Sequence, residues 1–65
     1  MTRRLTTTEA AEYIGIPAAT VRYWRHKGEG PASYTLGGKR VFFDKDDLDA
    51  WIDAQKRATV RGGVA

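Results

Sequence analysis

The sequence predicts a small α+β domain made of two short helices, a β-hairpin and a third helix. Three observations carry this. A threonine-led helix start runs into Gly15, with Pro17 opening a second helix two residues later. Two β-prone runs flank Gly37-Gly38. An aspartate-rich segment then leads into Leu48, Trp51, Ile52 and Gln55 at helical spacing. At 65 residues the chain has room for one domain, and with no cysteine it carries neither disulfides nor thiolate metal sites, so its core rests on packing.

The first helix is expected over residues 7–14. Thr6-Thr7-Thr8-Glu9 has the pattern of a capping box, in which the Thr6 hydroxyl accepts from the Glu9 amide and the Glu9 carboxylate reaches back to the Thr6 N–H. Ala10, Tyr13 and Ile14 form an apolar stripe, with Glu9 and Glu12 facing out. Gly15 suits the left-handed conformation that stops a helix. Pro17 suits the first turn of the next one, because its missing N–H would be unpaired there. That helix continues through Lys27 and ends at Gly28. So short a connection forces the two helices to cross steeply, as in a helix-turn-helix.

After the breaker-rich loop Glu29-Gly30-Pro31-Ala32-Ser33, Tyr34-Thr35-Leu36 and Arg40-Val41-Phe42-Phe43 read as strands. A two-residue turn at Gly37-Gly38 would set Tyr34 opposite Val41, with Phe43 on the same face. Asp44 reads as the N-cap of the third helix, with Asp46 and Asp47 complementing its dipole, and the periodicity runs to about Lys56. The domain is therefore expected over residues 1–58, with 59–65 a disordered tail. Arg3 and Arg4 read as a disordered basic tail, or alternatively as an N-terminal arm. Trp24, Trp51, Tyr13, Tyr34, Val41 and Phe43 are expected in the core.

The net charge of +3 is unevenly spread: residues 1–43 carry seven basic and three acidic side chains, and residues 44–58 three basic and five acidic. On a helical wheel the buried side of the second helix holds Val21, Trp24, Pro17 and Gly28. Its opposite face holds Ala19, Arg22, Tyr23 and His26, with Thr20 and Lys27 on one flank and Arg25 on the other. Arginine and histidine can donate to guanine O6 and N7, and tyrosine can pack on sugar or a thymine methyl, so this face suits a major groove. An exposed helix also carries charge merely to stay solvated. The run Ala18 to Gly28 lacks any aspartate or glutamate, however, whereas solvated faces mix signs. Lys39 and Arg40 at the hairpin tip suit a phosphate or the minor groove, or else simply blunt an exposed edge.

Enzyme signals fail on spacing. The Asp44, Asp46, Asp47 and Asp49 cluster lacks the central glycine and terminal glutamate of a calcium loop. Gly37-Gly38-Lys39-Arg40 is too short for a phosphate-binding loop and precedes a strand. His26, the lone histidine, has no acid or nucleophile placed beside it. No enzyme, metal, cofactor or small-molecule ligand is expected. No apolar run approaches the ~20 residues that cross a bilayer, and the N-terminus lacks a secretory pattern. The expectation is a soluble cytoplasmic protein.

Leu5 through Ile16, then Thr20-Val21-Arg22-Tyr23-Trp24, then Arg40-Val41-Phe42-Phe43 leading into Asp47-Leu48-Asp49-Ala50-Trp51-Ile52, resemble the excisionase/MerR-like winged helix-turn-helix family over residues 5–56. The order and spacing of these segments carry the resemblance. It implies a DNA-binding protein of a bacterial host, nucleoid-associated and most similar to a phage excisionase, that is, a recombination directionality factor. Copies of such a protein bind repeated sites head to tail, bend the duplex and recruit a tyrosine integrase. It implies groove contacts at Ala19, Thr20, Arg22, Tyr23 and His26 and wing contacts at Lys39 and Arg40, with Arg25 and Lys27 beside them. The alternatives are a small AlpA-like or MerR-like transcription regulator and a protein-interaction adaptor.

Overall fold

The structure, a computed structural model, describes residues 3–62. In chain order it comprises β1 (Arg4–Thr6), α1 (Thr7–Ile14), α2 (Ala18–His26), β2 (Tyr34–Leu36), β3 (Arg40–Asp44) and α3 (Lys45–Thr59). The strands form an antiparallel sheet in the order β1-β3-β2. This is the winged helix-turn-helix arrangement, with β1 added to the hairpin as a third strand.

The start of α1 is as the residues dictate. The Thr6 amide donates to Glu9 Oε1 at 2.9 Å, and the Glu9 amide donates to Thr6 Oγ1 at 3.2 Å. Gly15 ends the helix at φ +91°, and the Gly15 and Ile16 amides both donate to the Ala11 carbonyl. Pro17 precedes α2 instead of lying in its first turn. It is the N-cap, extended at φ −62° and ψ 143°, and its carbonyl accepts from the Thr20 and Val21 amides. Proline's fixed φ suits this extended entry, and the side chain, like Gly28, is exposed.

The hairpin differs from a two-residue turn. Leu36 pairs with Arg40, Thr35 with Val41 and Tyr34 with Phe42, so Gly37, Gly38 and Lys39 together make the turn. Both glycines have positive φ, +65° and +80°, a conformation costly for other residues. One extra turn residue moves Tyr34 to the opposite face of the sheet. Its ring lies 6.3 Å from Phe42 on the side away from the core.

Arg3 and Arg4 are not a tail. β1 begins at Arg4, and Leu5 pairs with Phe43 across the sheet. The Arg3 carbonyl accepts from the Lys45 amide at 2.7 Å. Burying Leu5 against Phe43 offsets the cost of ordering this short strand.

Leu5, Ala10, Ala11, Val21, Phe43 and Leu48 form the buried core, with Ile14, Ile16, Ala18 and Val41 packed around it. Trp24 and Trp51 are half-buried, and Tyr13 is 43% exposed. The aromatic residues assigned to the core by spacing thus mostly sit at its margin. The buried positions on α1 are taken by Ala10 and Ala11 instead.

α3 runs to Thr59, past Lys56 and into the first residue of the expected tail; residues 63–65 of that tail lie outside the described residues. Asp44 occupies the N-cap, but its side chain accepts from the Tyr34 hydroxyl at 2.8 Å and makes no capping bond. No helix among the described residues is long and apolar enough to cross a membrane.

Candidate nucleic-acid interface

α2 is held by one edge. Val21 is buried, Ala18 packs against the core, and Trp24 meets Trp51 of α3 with ring centroids 5.3 Å apart. At the far end, the Glu29 amide donates to the Trp24 carbonyl at 2.7 Å and closes the helix into the following loop. With that edge committed, helical geometry turns Ala19, Arg22, Tyr23 and His26 outward together. All four are exposed, Tyr23 at 57%.

Thr20, on the flank, is half-buried, while Arg25 and Lys27 are exposed. The Lys27 ammonium lies 5.3 Å from the centre of the Tyr23 ring and 4.0 Å from the Glu29 carboxylate. Both contacts are solvent-exposed and individually weak, so they pre-position Lys27 without neutralising it. Arg22, Arg25 and His26 have no ion-pair partner among the described residues. The face therefore offers a tyrosine hydroxyl and a set of nitrogen donors, with no acidic side chain on the helix to compete.

Lys39 and Arg40 are exposed at the wing, Lys39 within the turn and Arg40 at the start of β3. They sit on a separate element, and among the described residues no hydrogen bond or ion pair joins them to α2. Leu36, opposite Arg40, is 41% exposed and adds an apolar side chain to the wing.

Sequence reasoning missed one fixed cation. The Arg4 Nε–H donates to the Tyr34 hydroxyl at 3.3 Å, and its guanidinium lies 5.6 Å above the Phe42 ring. The Tyr34 hydroxyl in turn donates to Asp44 Oδ1, so the outer face of the sheet carries an ordered chain from Arg4 through Tyr34 to Asp44. The signal was the polar–apolar–polar alternation of Arg4-Leu5-Thr6, a strand pattern ahead of the capping box.

A second network fixes α1 to α3 behind the helix pair. The Tyr13 hydroxyl donates to Asp49, and Lys45 Nζ donates to the other Asp49 oxygen at 3.1 Å. The Lys45 ammonium also lies 5.3 Å from the centre of the Tyr13 ring. The Tyr13 hydrogen bond, followed by the Lys45 one, holds the Asp49 carboxyl below its ordinary value. The Asp49 hydrogen bond, followed by Tyr13, raises Lys45. Tyr13 therefore works as a strut between helices.

Residues 4–56 match a protein-family model described as a helix-turn-helix domain. No curated protein and no solved structure matches the chain.

Proposed function

The chain belongs to the helix-turn-helix domain family, whose members bind DNA, and from that footing we propose that α2 enters a major groove with Arg22, Tyr23 and His26 leading. The observation that carries this is the outward face of α2, from which every acidic side chain is missing and whose arginines are uncommitted. Arg22 is the base reader, donating to guanine O6 and N7. Ala19 allows close approach of the helix, Tyr23 packs on sugar or a thymine methyl, and His26 donates to a base edge or phosphate. Thr20, Arg25 and Lys27 contact the flanking backbone, and Lys39 and Arg40 reach phosphates or the adjacent minor groove from the wing.

The role that fits this docking best is architectural. The protein acts as an excisionase-type directionality factor: copies occupy repeated sites head to tail, hold the duplex bent and present a surface to a tyrosine integrase. It breaks no bond itself. The order of the capping box, the Thr20 to Trp24 segment, the wing and the Asp47 to Ile52 segment supports this reading.

Two experiments test it. Gel shifts over a salt series should give a log–log slope of about −4 to −5 if ~5 phosphates are contacted, and no shift at low salt would leave an adaptor role. Footprinting on DNA carrying a phage-type attachment site should then protect phased direct repeats. Protection confined to a promoter would replace the recombination role with transcription control.

A further inference from the structure

On the side of α2 away from Arg22, the loop after the helix turns back over the tryptophan pair. Trp24, Glu29, Gly30, Trp51 and Gln55 line an open cleft of about 390 Å³. Two indoles meet there with centroids 5.3 Å apart and planes inclined at 47°. Neither is fully buried, so both present ring surface to the cleft. Gly30 forms part of the wall at φ +82°, and a Cβ there would lie 3.1 Å from Trp24 Cβ and 3.2 Å from its ring. The lack of a side chain at 30 keeps the indole accessible.

The chemistry of the lining is one-sided. Indole faces carry negative quadrupole density, Glu29 adds a carboxylate, and the Gln55 amide adds an acceptor; the lining holds no cation. Lys27 is the nearest competitor, at 4.0 Å from Glu29, but that exposed pair is weak and Lys27 also leans towards Tyr23. The cleft thus differs in sign from the outward face of α2.

We infer that the Trp24–Trp51 cleft is a docking site for a cationic side chain, an arginine presented by a partner protein, held between indole and the Glu29 carboxylate. A planar guanidinium stacks on an aromatic face while donating to a carboxylate beside it, which suits this lining better than a bare apolar plug. The site lies apart from Arg22, Tyr23 and His26, since its occupant has the opposite charge to a phosphate and enters from another side of the helix; it touches the proposed DNA contacts through the weak Lys27–Glu29 pair.

The chain has two tryptophans and both line the cleft, so fluorescence excited at the red edge of the indole band, where its tyrosines do not absorb, and the indole N–H resonances report on the tryptophan pair. The test titrates the whole protein, without DNA, with a blocked pentapeptide bearing a central arginine and with the same peptide bearing norleucine. The arginine peptide should give saturable changes, with half-saturation on the order of millimolar for one isolated anchor. The norleucine peptide should bind at least about threefold more weakly, and Glu29→Gln should weaken the arginine peptide by about threefold or more. Glu29 is exposed, so the variant keeps the fold. Equal response to both peptides, no response to either, or an unchanged affinity in Glu29→Gln would each overturn the assignment. So would indole shifts produced by a short DNA duplex but not by the arginine peptide.

Discussion

The proposed docking uses Arg22 and Lys39 in different ways. Arg22 rides on a helix held by Val21 and Trp24, so in that docking it would meet base edges in a fixed orientation. Arg22→Ala should cost ~1–3 kcal/mol of specific affinity and relax preference at one base pair, measured by competition gel shifts with single-base variants. Lys39 sits in a turn after two glycines, where a charge meets the backbone of any sequence. Lys39→Ala should weaken all duplexes alike and lower the salt slope by about 1. Unchanged binding by both variants would remove the docking mode. Asp49 gives a prediction of another kind. Its carboxyl is held below the ordinary value of 3.8, so its contribution to stability is complete above that pH and is lost as pH falls through the lowered value. Lys45, raised above 10.5, contributes fully below that pH and loses its share as pH rises past the raised value. Asp49→Asn should therefore unfold more easily near neutral pH and lose less further stability below about pH 4 than the parent, as followed by circular dichroism. The outward trio at 22, 23 and 26 was legible because helical periodicity is rigid once Val21 marks the inside. Tyr13 was misread because an aromatic at core spacing also serves as a strut when a carboxylate lies opposite it, and Asp49 is 36 residues away in sequence.

At the level of elements, the loop closing α2 depends on Gly30. Its φ of +82° is strained for any other residue, and its wall position against Trp24 leaves no room for a methyl group without movement. Gly30→Ala should destabilise the protein by about 1–3 kcal/mol in urea denaturation, more than Gly37→Ala in the open wing turn, where φ is +65° and no atom lies within 4 Å. Helix boundaries were legible wherever a cap chemistry was explicit: Thr6 with Glu9, then Gly15. Asp44 likewise marks the start of α3, although Tyr34 on the neighbouring strand takes its carboxylate in place of a capping bond. Boundaries slipped where the cue was ambiguous. Proline at 17 fits both the N-cap and the first turn. The hairpin register slipped for a similar reason: a glycine pair permits a two-residue turn but does not forbid including Lys39. β1 was missed because the alternation of Arg4-Leu5-Thr6 is too short to stand out by itself, and its pairing with β3 fixes its place.

For the molecule as a whole, the margin of stability is thin. Among the described residues the buried hydrophobic core consists of six side chains, two of them alanine, and at the usual ~0.05–0.15 kcal/mol per residue a chain of this length holds only ~3–10 kcal/mol. Phe43, 1% exposed, is the largest of those side chains. Phe43→Ala, at about 3–5 kcal/mol, should remove a large share of that margin and lower the urea midpoint sharply, whereas Trp24→Ala, at a half-exposed site, should cost less in the same measurement. The charge asymmetry along the sequence maps onto the elements: α2 carries Arg22 and Arg25 with no acid, the wing tip adds Lys39 and Arg40, and α3 carries most of the aspartates. The pairing of β1 with β3 has one more consequence. It joins residues 4–6 to 42–44, so the sheet closes only after most of the chain exists. During folding, α1 and α2 therefore keep their apolar faces uncovered until Phe43 docks and the first strand finds its mate, so chains caught before that step should be the species most open to proteolysis.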